Sequence, residues 1–293
     1  MKPPAFSYHD PATLAEAVAL VATLDNARVL SGGQSLMPML NMRYVLPDHL
    51  IDLRRISELA HIRQSGGDIE IGGMTRQRDI EYSDLIAAKL PLLHEAIHWV
   101  GHRQTRNRGT IGGSLCHLDP AAEMVATVVA FDATLIAQGP SGVREIAASD
   151  WTLGYMTPSL APDEILTGVR FTPWPDGHGA AFVEFARRHG DFAIASAAAM
   201  LTADGAGRIT RAVLTIGGVG PAPVRLTEAE QGLVGQVASD TAFAAAARHA
   251  AAIEAIGDAL VPAEYRAHLA GVMAKRALAK AWSRIDGKGK LAA

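Results

Sequence analysis

The sequence predicts an α+β protein in two parts, and three observations predict it. Two Gly-Gly pairs stand where an apolar stretch gives way to a helix, in Arg28-Val29-Leu30-Ser31-Gly32-Gly33-Gln34-Ser35-Leu36 and in Arg108-Gly109-Thr110-Ile111-Gly112-Gly113-Ser114. Pro173-Trp174-Pro175-Asp176-Gly177 then interrupts the chain, because its prolines and glycine continue neither helix nor strand. Beyond that break, three strand-like stretches are followed by Ala-rich helices. At 293 residues, 49% hydrophobic and 19% charged, the chain is long enough for two cores and groups with globular rather than disordered sequences.

Taken in order, Thr13-Leu14-Ala15-Glu16 is a capping box, and the Ala/Leu/Val run to about Leu24 is an amphipathic helix. Residues 28–30 are a short buried strand, and Ser35 caps a short helix with Pro38 in its first turn. Short strands follow at 50–53 and 69–72, and Thr75 caps a helix to about Tyr82. A helix over 92–100 stops at Gly101, and 121–130 is apolar enough for a buried helix. Residues 134–137 and 142–146 form an antiparallel pair around Gly139-Pro140-Ser141-Gly142. Past the break, strands are expected at 180–187, 193–202 and 209–216, with Asp204-Gly205-Ala206-Gly207 turning the last two. Thr227-Glu228-Ala229-Glu230 is a second capping box, helices occupy about 239–255 and 262–283, and the tail 287–293 is expected to fray.

Composition excludes several function classes. A net charge of −3 gives no electrostatic reason to expect nucleic acid as a partner. The single cysteine, Cys116, excludes an intrachain disulfide and an iron–sulfur site within this chain, which points to a reducing compartment. The N-terminus lacks the apolar core of a signal peptide and no segment reaches the roughly 20 apolar residues of a membrane span. The expected location is the cytoplasm.

The glycine pairs carry the chemistry. Glycine lets main-chain N–H groups approach a ligand closely, and a strand–turn–helix junction aims unpaired amides and the positive end of a helix dipole at one point. Thr110 and Ser114 add hydroxyls, and Arg106 and Arg108 add positive charge just upstream, so both loops suit phosphate. The spacing is not Gly-x-Gly-x-x-Gly, so a Rossmann fold is unsupported. His117, just after the second loop, is placed to touch a bound ligand, and Glu123, on the following helix, can accept from ribose-like hydroxyls. His94-Glu95-Ala96-Ile97-His98 matches the His-Glu-x-x-His pattern of zinc peptidases, but the position of a third metzincin histidine is Gln104, so no metal site and no catalytic residue is assigned.

Ser31-Gly32-Gly33-Gln34-Ser35-Leu36, Arg106-Asn107-Arg108-Gly109-Thr110-Ile111-Gly112-Gly113-Ser114, Asp119-Pro120-Ala121-Ala122-Glu123 and Arg187-Arg188-His189-Gly190-Asp191-Phe192-Ala193 together resemble the FAD-binding medium subunit of molybdenum hydroxylases, as does the pattern over 217–230. The likeness covers nearly the whole chain. It implies a flavin domain of the vanillyl-alcohol-oxidase type over 1–176, made of two α/β subdomains (about 1–55 and 56–176). A C-terminal domain over 177–286 follows, with a three-stranded antiparallel sheet and a helical bundle. By that likeness Ser31, Gly32, Gly33, Gln34, Ser35 and Leu36, with Val29 and Leu30 leading in, hold the FAD pyrophosphate together with Thr110, Ile111, Gly112, Gly113 and Ser114. Gly101 and Glu123 lie along the ribityl chain and flavin, His117 belongs to the same set, Leu166 borders the ring, and Phe192 stands where relatives carry a tyrosine near the isoalloxazine. It also implies a small [2Fe-2S] subunit and a large molybdopterin subunit as partners, in a dimer of heterotrimers. In that assembly the chain relays electrons through FAD to an external acceptor. A stand-alone flavin oxidase of the same fold is the alternative, ahead of the zinc peptidase.

Overall fold

A computed structural model describes residues 1–285 of the chain; the tail expected to fray lies outside them. Thr13 opens helix α1 (Leu14–Thr23), which follows strand β1 (Ser7–His9): the Thr13 hydroxyl accepts from the Glu16 amide and the Glu16 carboxylate accepts from the Thr13 amide, the capping box as expected. Strand β2 (Ala27–Leu30), helix α2 (Leu36–Asn41) and strand β3 (His49–Asp52) complete a three-stranded parallel sheet in the order β1-β3-β2. Ala17 and Val18 of α1 close its core with Ile51, Leu53, Ile56 and Leu59. Only half-buried or exposed positions occur along β2, so the expected buried strand is instead an edge that leads into a loop.

Next come β4 (Ile62–Ser65), β5 (Asp68–Gly72), α3 (Gln77–Glu81), α4 (Asp84–Lys89), α5 (Pro91–Ile97), α6 (Arg103–Arg108), α7 (Ile111–His117) and α8 (Glu123–Ala130). The hairpin β6 (Thr134–Gly139) and β7 (Gly142–Ala147), the short pair β8 (Thr152–Gly154) and β9 (Thr157–Pro158), and β10 (Ile165–Phe171) follow. β10 is the centre of a five-stranded antiparallel sheet in the order β4-β5-β10-β6-β7. The chain ends with β11 (Gly179–Phe185), β12 (Ala195–Ala203), β13 (Ile209–Gly217), β14 (Val224–Arg225), α9 (Thr227–Leu233), α10 (Asp240–Ala251) and α11 (Ala263–Trp282).

The chain divides into two compact units, residues 1–80, 103–118 and 132–172 in the first and 81–102, 119–131 and 173 onward in the second. In the second unit one face of the β11-β12-β13-β14 sheet, with Ala197, Ala199, Leu214 and Ile216, packs on α10 and α11 through Phe243, Met273, Leu278 and Trp282. The opposite face meets α5 and α8. The short β14 makes this a four-stranded sheet where three strands were expected.

Three caps differ from expectation, two of them because the side chain is engaged elsewhere. α9 begins at Thr227 itself, and the Glu230 carboxylate turns inward to accept from the Leu214 amide (2.8 Å) and Arg225 Nε instead of closing a box. Thr75 exchanges hydrogen bonds with the backbone of His61 (2.8 and 3.1 Å) and caps nothing. Ser35 precedes α2 but is already helical (φ −104°, ψ −49°), and its hydroxyl makes no cap. Among the described residues no helix is long and apolar enough to cross a membrane.

Candidate functional site

In the first unit the loop between β2 and α2 lies against the segment that opens α7. Gly32 is buried: a Cβ there would stand 2.5 Å from the Arg108 carbonyl oxygen and 2.8 Å from Gly109 Cα, so only glycine lets the two backbones touch. Gly33 takes φ +73°, a conformation that favours glycine, and turns the chain toward α2. Side chains lock the same contact. The Gly113 amide donates to Thr110 Oγ1 (3.0 Å), Thr110 and Ser31 share a hydrogen bond of 2.6 Å, and Ser31 Oγ donates to Met74 Sδ (3.0 Å). Among the described residues the amides of Gly32, Gly33, Gln34 and Ser35 make no hydrogen bond, although the Gly33 and Ser35 carbonyls accept from Met37 and Met39. Four successive donors, one of them on a buried residue, thus have no protein acceptor among the described residues.

The second glycine pair plays a different part. Gly112 and Gly113 sit in the first turn of α7, capped by the Thr110 side chain, rather than in a loop. Their amides are committed within the chain: Ile111 donates to the Thr75 carbonyl (3.1 Å), Gly112 to the Gly73 carbonyl (3.0 Å) and Gly113 to Thr110. A Cβ on Gly112 would stand 2.6 Å from the Gly73 oxygen, so this glycine allows helix and β5–α3 turn to touch. The half-buried Ser114 hydroxyl, by contrast, makes no hydrogen bond among the described residues. Arg106, expected to add positive charge just upstream of the loop, is buried, while Arg108 is exposed and its carbonyl accepts from Arg76. Gly73, Met74 and Thr75 were not anticipated in this role; the signal was Gly72-Gly73, a third glycine pair following an apolar strand.

The expected residues fall into two sets. Val29, Leu30, Ser31, Gly32, Gly33, Gln34, Ser35, Leu36, Thr110, Ile111, Gly112, Gly113, Ser114, His117 and Leu166 belong to the first unit. There Leu166 is buried on β10, its carbonyl 2.5 Å from where a Gly73 Cβ would be, and His117 is the half-buried last residue of α7. Gly101, Glu123 and Phe192 belong to the second. Gly101 (φ +48°) packs its carbonyl on Gly190 (φ +88°), Glu123 is buried as the first residue of α8, and Phe192 is 58% exposed.

The His-Glu-x-x-His residues are all engaged by protein. His94 Nε2 lies 3.1 Å from the Glu81 carbonyl and His98 Nδ1 2.7 Å from the His94 carbonyl, with the two rings edge to face. Glu95 receives Arg284 (2.6 and 3.0 Å), Lys280 (2.7 Å) and the Phe182 amide (2.8 Å). Burial works against its charge, but these donors outweigh it and hold the carboxyl below the usual range. Among the described residues no three His, Cys, Asp or Glu gather to hold a metal ion. Burial pushes the Cys116 thiol up to about 12, far from a nucleophile's range.

Comparison with known proteins shows what the chain is similar to. Residues 4–174 match the model of the FAD binding domain in molybdopterin dehydrogenase, and residues 180–281 match the CO dehydrogenase flavoprotein C-terminal domain. The chain is 42% identical over 287 residues to the 6-hydroxypseudooxynicotine dehydrogenase complex subunit alpha of Paenarthrobacter nicotinovorans, covering 97% of each chain. It is 40% identical to the carbon monoxide dehydrogenase medium chain of Afipia carboxidovorans, over 97% of this chain and 99% of that one. Among solved structures, carbon monoxide dehydrogenase from Hydrogenophaga pseudoflava superposes with a TM-score of 0.95 at 39% identity, covering 97% of this chain and 100% of that one.

Proposed function

We propose a role from one premise: the chain belongs to the family of FAD-binding medium subunits of molybdenum hydroxylases, and is therefore the flavoprotein subunit of an oxidoreductase. Within that family we read it as a relay. It takes electrons from [2Fe-2S] centres of a small partner subunit, which receive them from a large molybdopterin subunit, and passes them to an external acceptor. The assembly is read as a dimer of heterotrimers in the cytoplasm, and residues 1–176 as a vanillyl-alcohol-oxidase-type domain with subdomains at about 1–55 and 56–176, followed by the C-terminal domain 177–286.

The observation that carries the reading is the row of uncommitted amides at Gly32, Gly33, Gln34 and Ser35, on a loop that glycine alone lets lie against its neighbour. This fits a diphosphate, which wants several converging neutral donors. Those amides hold the FAD pyrophosphate, the Ser114 hydroxyl adds a donor, and Thr110 with Ser31 keeps the two walls at fixed separation. Val29, Leu30 and Leu36 flank the cradle, Ile111, Gly112 and Gly113 form its rear wall, and Leu166 and His117 give it an apolar and a polar border. The family likeness assigns Gly101, Glu123 and Phe192 to the ribityl and flavin side. Phenylalanine at 192 stacks but donates no hydroxyl hydrogen bond. Bound FAD supplies reversible redox chemistry that no side chain of this protein provides.

The test compares the chain alone with the co-expressed three-subunit complex. With the complex's substrate added without oxygen, flavin absorbance bleaches in the complex, and the isolated FAD-loaded chain stays oxidised. Substrate turnover by the isolated chain with stoichiometric flavin reduction would replace this reading with a stand-alone oxidase.

A further inference from the structure

The inward face of the second unit's sheet carries polar groups that the cradle does not use. Glu184 on β11 lies directly opposite Ser196 on β12, which lies directly opposite Gly217 on β13. Thr215, two residues along β13, is on the same face. Glu184 is 9% exposed, Ser196 1% and Thr215 0%, and both Glu184 carboxyl oxygens and both hydroxyls lack a hydrogen-bond partner among the described residues. α8 covers this face: a Cβ on Gly217 would stand 2.6 Å from Ser196 Oγ, 3.4 Å from Ala126 Cβ and 3.6 Å from the Pro120 carbonyl. The first residue of α8 is the buried Glu123.

Two buried carboxyls near enough to feel each other's charge resist ionising together, since each charge opposes the other and burial removes bulk water. Glu123 stands in the first turn of α8, where the helix dipole favours the anion. Around Glu184, by contrast, no cation is engaged among the described residues. α5 contributes Glu95, itself held by Lys280 and Arg284 at the outer side, and His94, turned to the Glu81 carbonyl. β12 contributes only Ser196, and Arg187 and Arg188, just beyond β11, are exposed. Burial first, and then the charge of Glu123, push the Glu184 carboxyl up to about 9.

We propose that Glu184 is a positioning residue that stays a neutral carboxylic acid in the folded chain and turns its proton toward Glu123, leaving Glu123 as the one anion of the pair. The proton on Glu184 stabilises the Glu123 carboxylate in an orientation fit to accept from a cofactor hydroxyl. This second step rests on the reading that Glu123 borders FAD; the first does not.

Infrared spectroscopy of the full chain tests the first step. At pH 7 wild type shows the carbonyl stretch of a buried protonated carboxylic acid, the band fades as pH passes about 9, and Glu184→Gln lacks it. The thermal midpoint gives a second readout with a definite sign: an acid whose folded value is raised binds more protons folded than unfolded, so stability falls as pH rises from about 4.3 toward 9 and levels above. Glu184→Gln therefore gains midpoint relative to wild type between pH 5 and pH 9. No such band at pH 7, or parallel midpoint curves for the two proteins, overturns the proposal. FAD titration tests the second step: Glu184→Leu, which offers no proton to Glu123, weakens binding at pH 7, Glu184→Gln, which still donates, restores most of it, and Glu123→Gln weakens it at least tenfold. An intact band with no effect of Glu123→Gln on FAD binding overturns the FAD reading of Glu123 alone.

Discussion

Replacing Gly32 with alanine puts a methyl group where the structure leaves none. Its Cβ would stand 2.5 Å from the Arg108 carbonyl oxygen, a backbone atom that cannot rotate away. Carbon contacts relax near 3.5 Å, so the two walls must separate by about 1 Å. The Ser31–Thr110 hydrogen bond, 2.6 Å in the wild type, spans that same gap and is stretched with it. Overpacking of this kind costs roughly 1–3 kcal/mol, and the hydrogen bond adds about 1 kcal/mol. At roughly 2–4 °C per kcal/mol for chains of this size class, the thermal midpoint of the apo chain drops by several degrees. The amides of Gly32 to Ser35 move with the loop. Losing even one well-placed hydrogen bond to a charged group, about 1.5–3 kcal/mol, weakens FAD binding at least tenfold. Differential scanning fluorimetry and FAD titration by fluorescence quenching read the two quantities separately. A Gly32→Ala chain with wild-type FAD affinity, whatever its midpoint, would refute the cradle.

Gly113→Val should likewise abolish FAD retention on gel filtration, since its side chain must displace Thr110 Oγ1 (2.9 Å from a Cβ) and Ser31, whereas His98→Ala should retain flavin; the opposite ranking would contradict the site. Gly232→Ala, in an exposed helical turn with nothing within 4 Å, should raise the midpoint by the equivalent of a few tenths to about 1 kcal/mol and leave FAD binding unchanged. Glu95→Gln should destabilise the chain by roughly 1–3 kcal/mol at pH 7, a figure held down because Lys280 and Arg284 are partly exposed. Because the folded carboxyl lies below its ordinary value, that stabilisation is present above about pH 4.3 and is lost as pH falls through the lowered value, so denaturation curves of variant and wild type converge in acid. Cys116 should resist a thiol-disulfide reagent at pH 8 in the native chain and react at once in denaturant.

Local chemistry made much of this architecture readable from sequence. Thr13 and Glu16 close their box because both lie within one turn, although the Ala12 amide shares the Glu16 carboxylate, and Pro140-Ser141 turns the β6–β7 hairpin where the glycines bracket it. Competition explains the misreadings. Glu230 satisfies the second box's spacing, but the buried Leu214 amide and Arg225 claim its carboxylate. β10 escaped notice because it is the central strand of its sheet and buried along most of its length, so it shows no alternation, and Gly168 and a bulge interrupt its run. At the candidate site, sequence located both glycine pairs but gave them one role. Which amides remain free depends on the Gly73 and Thr75 carbonyls, more than thirty residues from the second pair, and that pairing is a property of the tertiary fold. Glu95 illustrates the same limit: the five residues His94 to His98 show two histidines four apart on a helix, whereas a partner that holds Glu95 lies 189 residues away.

That separation also bears on how the protein comes into being. At ribosomal speeds of roughly 5–20 residues per second, about 10 to 40 s pass between synthesis of Glu95 and synthesis of Arg284. For the part of that interval between Ala130 and Gly179, α5 and α8 have been made, yet the sheet they cover has not. The early helices wait with apolar faces uncovered, and a nascent chain in this condition is a client for a chaperone rather than a finished half. A ribosome that stalls before the end of α11 releases a product whose Glu95 lacks its cations, and which proteolysis should clear before any partner subunit meets it.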